Sequence, residues 1–311
     1  LMARTMSTGF WPRLVPLGFA QALGVFNDNA FKATVFFTAI SFFDRDYAIN
    51  AYFMTLMTLV YVLPFILLPA PAGFLADKFS KKTVMGIAKG GEIIIMAVGA
   101  AALYFVETWG LFPLAGVLFL MALQSTFFSP SYNGSLPEIF SEKEISRASG
   151  VLGMLSFVAV IFGFAFGTVL NRGTLGGSLF LCGVIFTTFS ILGFGGSLFI
   201  QRRRAAGAER PWQVNIFAQF AEALRATMRN RAVFVSILGE AYFFAIGAAV
   251  QIVIILYGKF TLDMNNSLEL GSLQLVIAFG MAVGCFMAGR ASRGKVELGL
   301  APIGGIAMTL F

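Results

Sequence analysis

The chain has 311 residues, 58% hydrophobic and only 12% charged, with a formal net charge of +7 and a mean hydropathy of +0.83. Soluble domains carry about a quarter charged residues, so an ordinary water-soluble globule is excluded, and apolar blocks of about 20 residues or more point to a polytopic helical membrane protein. No histidine is present, which excludes His triads and His metal sites, and Cys182 and Cys285 each lie in an apolar run, which argues against a disulfide or a metal cluster.

The apolar runs predict helices at about 14–43, 51–76, 83–106, 111–133, 147–171, 176–200, 231–257 and 270–289, with another opening near 296. The first run is too long for a cleaved signal peptide and contains Asn27, Asp28, Asn29 and Lys32. Splitting it there would leave pieces of about 14 and 16 residues, each too short to cross a bilayer, so one long helix is expected. Asp28 and Lys32 are four apart and can pair on one face, which Gln21 extends. Each charge near a helix centre costs about 2.5–3.5 kcal/mol on insertion, so each should be paired or face water.

The second helix ends in Gly73-Phe74-Leu75-Ala76-Asp77-Lys78-Phe79-Ser80-Lys81-Lys82. A Gly lets helices approach closely, and an Asp at a helix end can pair with a cation, so Gly73 and Asp77 are read as a gating segment, while Lys78, Lys81 and Lys82 are either part of it or charges that only fix the topology. In the third helix Lys89 and Glu92, three apart, are read as a secondary charge pair that is a structural salt bridge. The fifth helix has a packing pattern, Gly163-x-x-x-Gly167, and Gly193-Phe194-Gly195-Gly196 in the sixth is also packing, since no strand precedes it and no Lys follows.

Gln201 to Asn230 opens with Arg202-Arg203-Arg204 and continues with apolar residues at helical spacing: Val214, Phe217, Phe220, Ala221, Leu224 and Met228. Arg225 and Arg229 fall on another side, the pattern of an amphipathic helix on a membrane surface. The expected layout is therefore a six-helix bundle over 1–200, a basic linker over 201–230, and the start of a second bundle over 231–311. The chain stops inside the apolar run that opens near 296, so it is expected to be a piece of something longer.

Alternate connections collect Arg4, Arg13, Lys78, Lys81, Lys82, Lys143, Arg147, seven arginines from Arg202 to Arg231, Arg290, Arg293 and Lys295 on one side. Arg45, Arg172 and Lys259 fall on the other, so the N-terminus and the linker are expected to be cytoplasmic. The net charge then reflects topology and contact with the lipid bilayer, with no nucleic-acid partner. Ala76-Asp77-Lys78-Phe79-Ser80-Lys81 recurs as Ala288-Gly289-Arg290-Ala291-Ser292-Arg293 at an offset of 212 residues, with Gly289 in the place of Asp77. The same offset sets Asp28 opposite Glu240, on a seventh-helix stripe with Ser236, Gly247 and Gln251. Internal repeats of this kind mark secondary transporters whose halves rock around a central site.

The Gly73–Lys82 segment resembles the loop between the second and third helices of the major facilitator superfamily, departing only at Ser80, where Gly is usual. Phe26-Asn27-Asp28-Asn29-Ala30 with Lys32, and Phe128-Ser129-Pro130-Ser131-Tyr132-Asn133-Gly134-Ser135-Leu136-Pro137-Glu138 with Asn133 as an insertion, are similar to the lysophospholipid transporter branch. The fifth helix lacks the Gly-Pro pair of that superfamily's drug antiporters. The resemblance implies an all-α fold of two six-helix bundles, the second incomplete here. It also implies a monomeric, cofactor-free flippase that moves lysophospholipids such as lysophosphatidylethanolamine inward across a bacterial inner membrane. The polar midplane site would comprise Gln21, Asn27, Asp28, Asn29, Lys32 and Glu240.

Two other readings stay open on the residues. A proton-coupled symporter or drug exporter would use Asp28 or Glu240 as the proton carrier. The membrane part of a phospholipid acyltransferase fusion is the other, although the His-Asp motif of that chemistry is absent from these residues.

Overall fold

The computed structural model describes residues 9–42, 47–171, 179–205, 207, 209, 216–262, 267–291 and 304–306, and no strand occurs among them. The expected start of a helix near 296, and Val214 of the amphipathic pattern, lie outside the described residues.

The first helix, α1 (Phe10–Phe42), runs unbroken through Asn27-Asp28-Asn29. Polar side chains on it are satisfied partly by their own helix: Asn29 Nδ2 donates to Val25 O at 2.7 Å, and Thr34 Oγ1 to Ala30 O at 2.9 Å. The second predicted span is two helices, α2 (Tyr47–Leu67) and α3 (Pro69–Lys78), bent by 49°. Pro69 and Pro71 supply no amide to the ladder, and Leu68, before Pro69, leaves the helical region at φ −114°, ψ 9°.

Next come α4 (Lys81–Tyr104), the short α5 (Val106–Trp109) and α6 (Phe112–Ile139). Gly110, at φ +70°, makes the turn into α6 in a conformation that side chains disfavour. They are followed by α7 (Glu142–Asn171) and α8 (Leu179–Leu198). Helices α4, α6, α7 and α8 are each long and apolar enough to cross a membrane, and α2 with α3 makes a bent fifth.

In the bundle α1 packs on α7 and α8, α4 lies between α6 and α8, and α2 and α3 line α6. One core cluster centres on Phe31, Met96, Leu114, Met121 and Phe186, and a second on Leu14, Leu17, Met85, Phe128 and Leu152. Between membrane helices lipid is as apolar as a side chain, so close packing and hydrogen bonds, rather than water exclusion, drive association. The predicted Gly163 and Gly167 pattern serves this: a Cβ at either position would strike the α1 backbone, at Phe26 and Ala30. Where α1 begins, Arg13 donates to Ile139 O at 2.8 Å and pairs with Glu144 at 2.8 Å, while Arg147 lies over the Phe10 ring.

The remaining helices are α9 (Ile216–Arg229), α10 (Arg231–Phe260) and α11 (Ser267–Ala291). Asn230 separates the first two by capping α10, its side chain accepting from the amides of Ala232 and Val233 at 3.1 and 3.3 Å. Helix α11 packs against α7, where a Cβ on Gly150 would lie 2.8 Å from Gly289 Cα. The apolar side of α9 is open, with Phe220, Leu224 and Met228 all exposed.

Candidate functional site

A cavity of about 240 Å³ opens among α1, α2, α4 and α6. Helix α1 contributes Gln21, Gly24, Val25, Asp28 and Asn29, and α4 contributes Lys89 and Glu92. The side formed by α6 is a helical stripe of Gln124, Ser125, Phe128, Ser129, Tyr132 and Asn133, and α2 closes it with Tyr61 and Phe65. Charged and amide groups thus share the space with aromatic faces, the mixed lining that ligand sites use.

Its polar wall is organised by Glu92. Lys89 Nζ pairs with Glu92 Oε2 at 2.6 Å, with both side chains almost wholly buried. Gln124 Nε2 approaches the same oxygen at 3.5 Å, while Ser190 Oγ and Asn27 Nδ2 reach Oε1 at 3.3 and 3.4 Å. Asn27 Nδ2 also donates to Ser190 Oγ at 2.8 Å and to Phe186 O at 3.1 Å, joining α1 to α8. A buried ion pair is tolerable only when such hydrogen bonds take up its remaining capacity. Lys89 further lies 5.2 Å from the Phe128 ring centroid. The expected structural salt bridge between Lys89 and Glu92 is therefore present, and it also forms part of the cavity lining.

Asp28 is treated differently. Its Oδ2 accepts from Ser125 Oγ at 3.0 Å, whereas Oδ1 is buried without a hydrogen-bond partner. No ion pair joins Asp28 to Lys32 among the described residues, contrary to the pairing expected from their spacing. Lys32 instead places Nζ 4.7 Å from the ring centroid of Tyr61, which itself lines the cavity. A carboxylate oxygen without a hydrogen-bond partner beside a cation that lies over a ring is an arrangement able to receive a ligand with both signs of charge.

The predicted site residues therefore separate into four groups. Gln21, Asp28 and Asn29 line the cavity, Asn27 lies behind its wall, and Lys32 borders it at Tyr61. Glu240 is exposed on α10 and outside the cavity. The face of α6 and Tyr61 with Phe65 were not among the predicted residues. A signal for α6 existed in the spacing of Gln124, Ser125, Phe128, Ser129 and Tyr132, which return to one side of a helix.

In the gating segment Lys81 forms an ion pair with Glu138 on α6, and Lys82 Nζ donates to Leu198 O at 2.6 Å. Lys78 extends over the Phe74 ring, at 5.9 Å, and the carbonyl of Asp77 accepts from the amide of Gly207 at 2.9 Å. Gly73 has no atom within 4 Å of where a Cβ would stand.

The chain is similar to proteins named Lysophospholipid transporter LplT. The one from Photorhabdus laumondii is 24% identical over 275 residues, covering 88% of this chain and 64% of that protein. Those from Yersinia pestis and Yersinia pseudotuberculosis are 25% identical over 296 residues, covering 94% of this chain and 68% of each. The chain thus spans about two thirds of the length of these relatives. The family model of the Major Facilitator Superfamily matches residues 18–311, from within α1 to the last residue. With that match and its all-helical bundle, the chain is a multi-pass membrane protein that belongs to the Major Facilitator Superfamily.

Proposed function

We propose that this chain moves lysophospholipids inward across a bacterial inner membrane by alternating access, with its N-terminus and linker in the cytoplasm. The observation that carries the reading is the cavity where Asp28 keeps an unpartnered oxygen beside Lys32, within a fold whose similar proteins are named lysophospholipid transporters. Asp28 takes the ammonium of a zwitterionic headgroup, and Lys32, leaving the Tyr61 ring, takes the phosphate. Phe65 and Phe128 face the glycerol and the start of the acyl chain, which stays against apolar helix faces. The buried Lys89–Glu92 pair holds the wall in shape. Glu240 stands apart from this headgroup site, which is built without it. Asp77, bonded through its carbonyl to the linker, is the latch at the cytoplasmic end of α3.

The test is uptake of labelled lysophosphatidylethanolamine by spheroplasts or proteoliposomes carrying the protein. Asp28→Asn removes the charge and keeps the shape, so uptake is expected to fall by roughly tenfold or more, the worth of a charged hydrogen bond. Unchanged uptake at equal expression overturns the assignment. A proton-collapsing agent is expected to leave transport by the parent protein intact, and its abolition would favour the proton-coupled reading.

A further inference from the structure

Another cavity among the described residues lies away from the transport site, where α3 turns into α4 and the linker leaves α8. It has a volume of about 550 Å³ and is lined by Lys78, Phe79, Ser80, Arg202, Arg203, Arg204 and Ala205. Four of these seven residues are cations and none is an acid. Like charges held around one space repel, and an anion within it relieves that repulsion.

The surrounding backbone makes this a defined place rather than a loose run of arginines. Ile200, just before the arginines, is buried in the second core cluster. Beyond them the amide of Gly207 donates to Asp77 O at 2.9 Å, and on the α8 side Lys82 holds Leu198 O. The arginines are therefore bracketed by fixed points yet are themselves exposed.

Ser80 supplies an independent observation. It is the N-cap residue of α4, but its hydroxyl does not cap the helix, and Oγ is buried with no hydrogen-bond partner. The Ser80 carbonyl accepts from Thr83 and Val84, which leaves the amides at the very start of this 24-residue helix uncapped by a side chain. An unused hydroxyl, the positive end of a helix and planar guanidinium groups together match the oxygens of a phosphate. Phe79 is exposed in the same lining, and Leu198 and Phe199 are exposed just before the arginines along the chain. An exposed aromatic ring in a cationic lining fits a phosphate attached to acyl chains better than a free ion.

We infer that the cavity between the α3–α4 turn and residues 202–205 binds the phosphate of an anionic glycerophospholipid, clamping the linker to the gating segment. The site is separate from the headgroup cavity and stands whether or not lysophospholipid is the transported substrate.

Native mass spectrometry of the full chain in detergent tests this with four probes: phosphatidylglycerol, phosphatidylethanolamine, glycerol 3-phosphate and inorganic phosphate. One or two retained phosphatidylglycerol molecules are expected, with retention of phosphatidylethanolamine about tenfold weaker. The exposed pair Arg203→Gln/Arg204→Gln should weaken phosphatidylglycerol retention about tenfold, and Ser80→Gly several-fold. Arg225→Gln/Arg229→Gln on α9 removes the same charge elsewhere and should leave retention unchanged. Equal losses from the two arginine pairs would mean diffuse charge attraction and overturn the site. Displacement of the lipid by either water-soluble phosphate at comparable concentration would overturn the lipid assignment.

Discussion

Glu92 shows how much one side chain does in a membrane interior. It receives Lys89 at 2.6 Å, and groups from α1, α6 and α8 approach its two oxygens. Replacing Glu92 by Gln leaves the Lys89 ammonium buried without its counter-charge, a loss of about 3–5 kcal/mol for a buried pair. A clear drop in the melting temperature of the purified protein is expected. The double variant Lys89→Met/Glu92→Gln should recover part of that loss, and the absence of any recovery would mean that Glu92 acts through its other partners alone. The i, i+3 spacing made the pair itself legible in the sequence. Its connection to Asn27, Gln124 and Ser190 was not, because these come from three other helices and meet only in the folded bundle. The same limit explains Asp28 and Lys32. Helical spacing allows them to pair, but the direct contacts they make are with Ser125 and Tyr61, on neighbouring helices.

Among the elements, α7 is held to α1 by absence of side chains. Gly163 and Gly167 face the backbone of α1, which cannot rotate away as a flexible side chain would. Gly167→Val is expected to cost about 1–3 kcal/mol through overpacking and to lower folded yield in detergent, measured by size-exclusion chromatography. Gly91→Ala on α4 is the contrast, since no atom lies within 4 Å of its added Cβ. That variant should be neutral or slightly stabilising, because Ala favours a helix by about 1 kcal/mol over Gly. The positions of α4, α6, α7 and α8 and of the bent pair α2 with α3, the described helices long and apolar enough to cross a membrane, were readable from apolar runs alone. The bend between α2 and α3 was foreshadowed by Pro69 and Pro71, but its 49° depends on how α3 settles against α6 and α9. In α6 the helix continues to Ile139, past Pro130 and Pro137, which an apolar-run criterion ended at 133.

For the molecule as a whole, charge asymmetry argues that the linker and the N-terminus share the cytoplasmic side. In a Cys182→Ala/Cys285→Ala background, Arg172→Cys is expected to react with a membrane-impermeant maleimide in intact spheroplasts. Lys143→Cys should react only after permeabilisation, and the reverse pattern would invert the topology. The sequence by itself determined the membrane class, the helix order and the resemblance of the Gly73–Lys82 segment. Each of these follows from composition, run length or local spacing, which are properties of contiguous residues. Only the tertiary structure decided that Lys89 and Glu92 line the same cavity as Asp28, that the α6 stripe completes it, and that Glu240 stands outside it. It also decided that Arg202–Arg204 meet Lys78 and Ser80 around a second cavity. The physical reason is common to all of these. A 3.6-residue period fixes which side chains share one helix face, whereas the neighbour that face meets is set by close packing between helices distant along the chain.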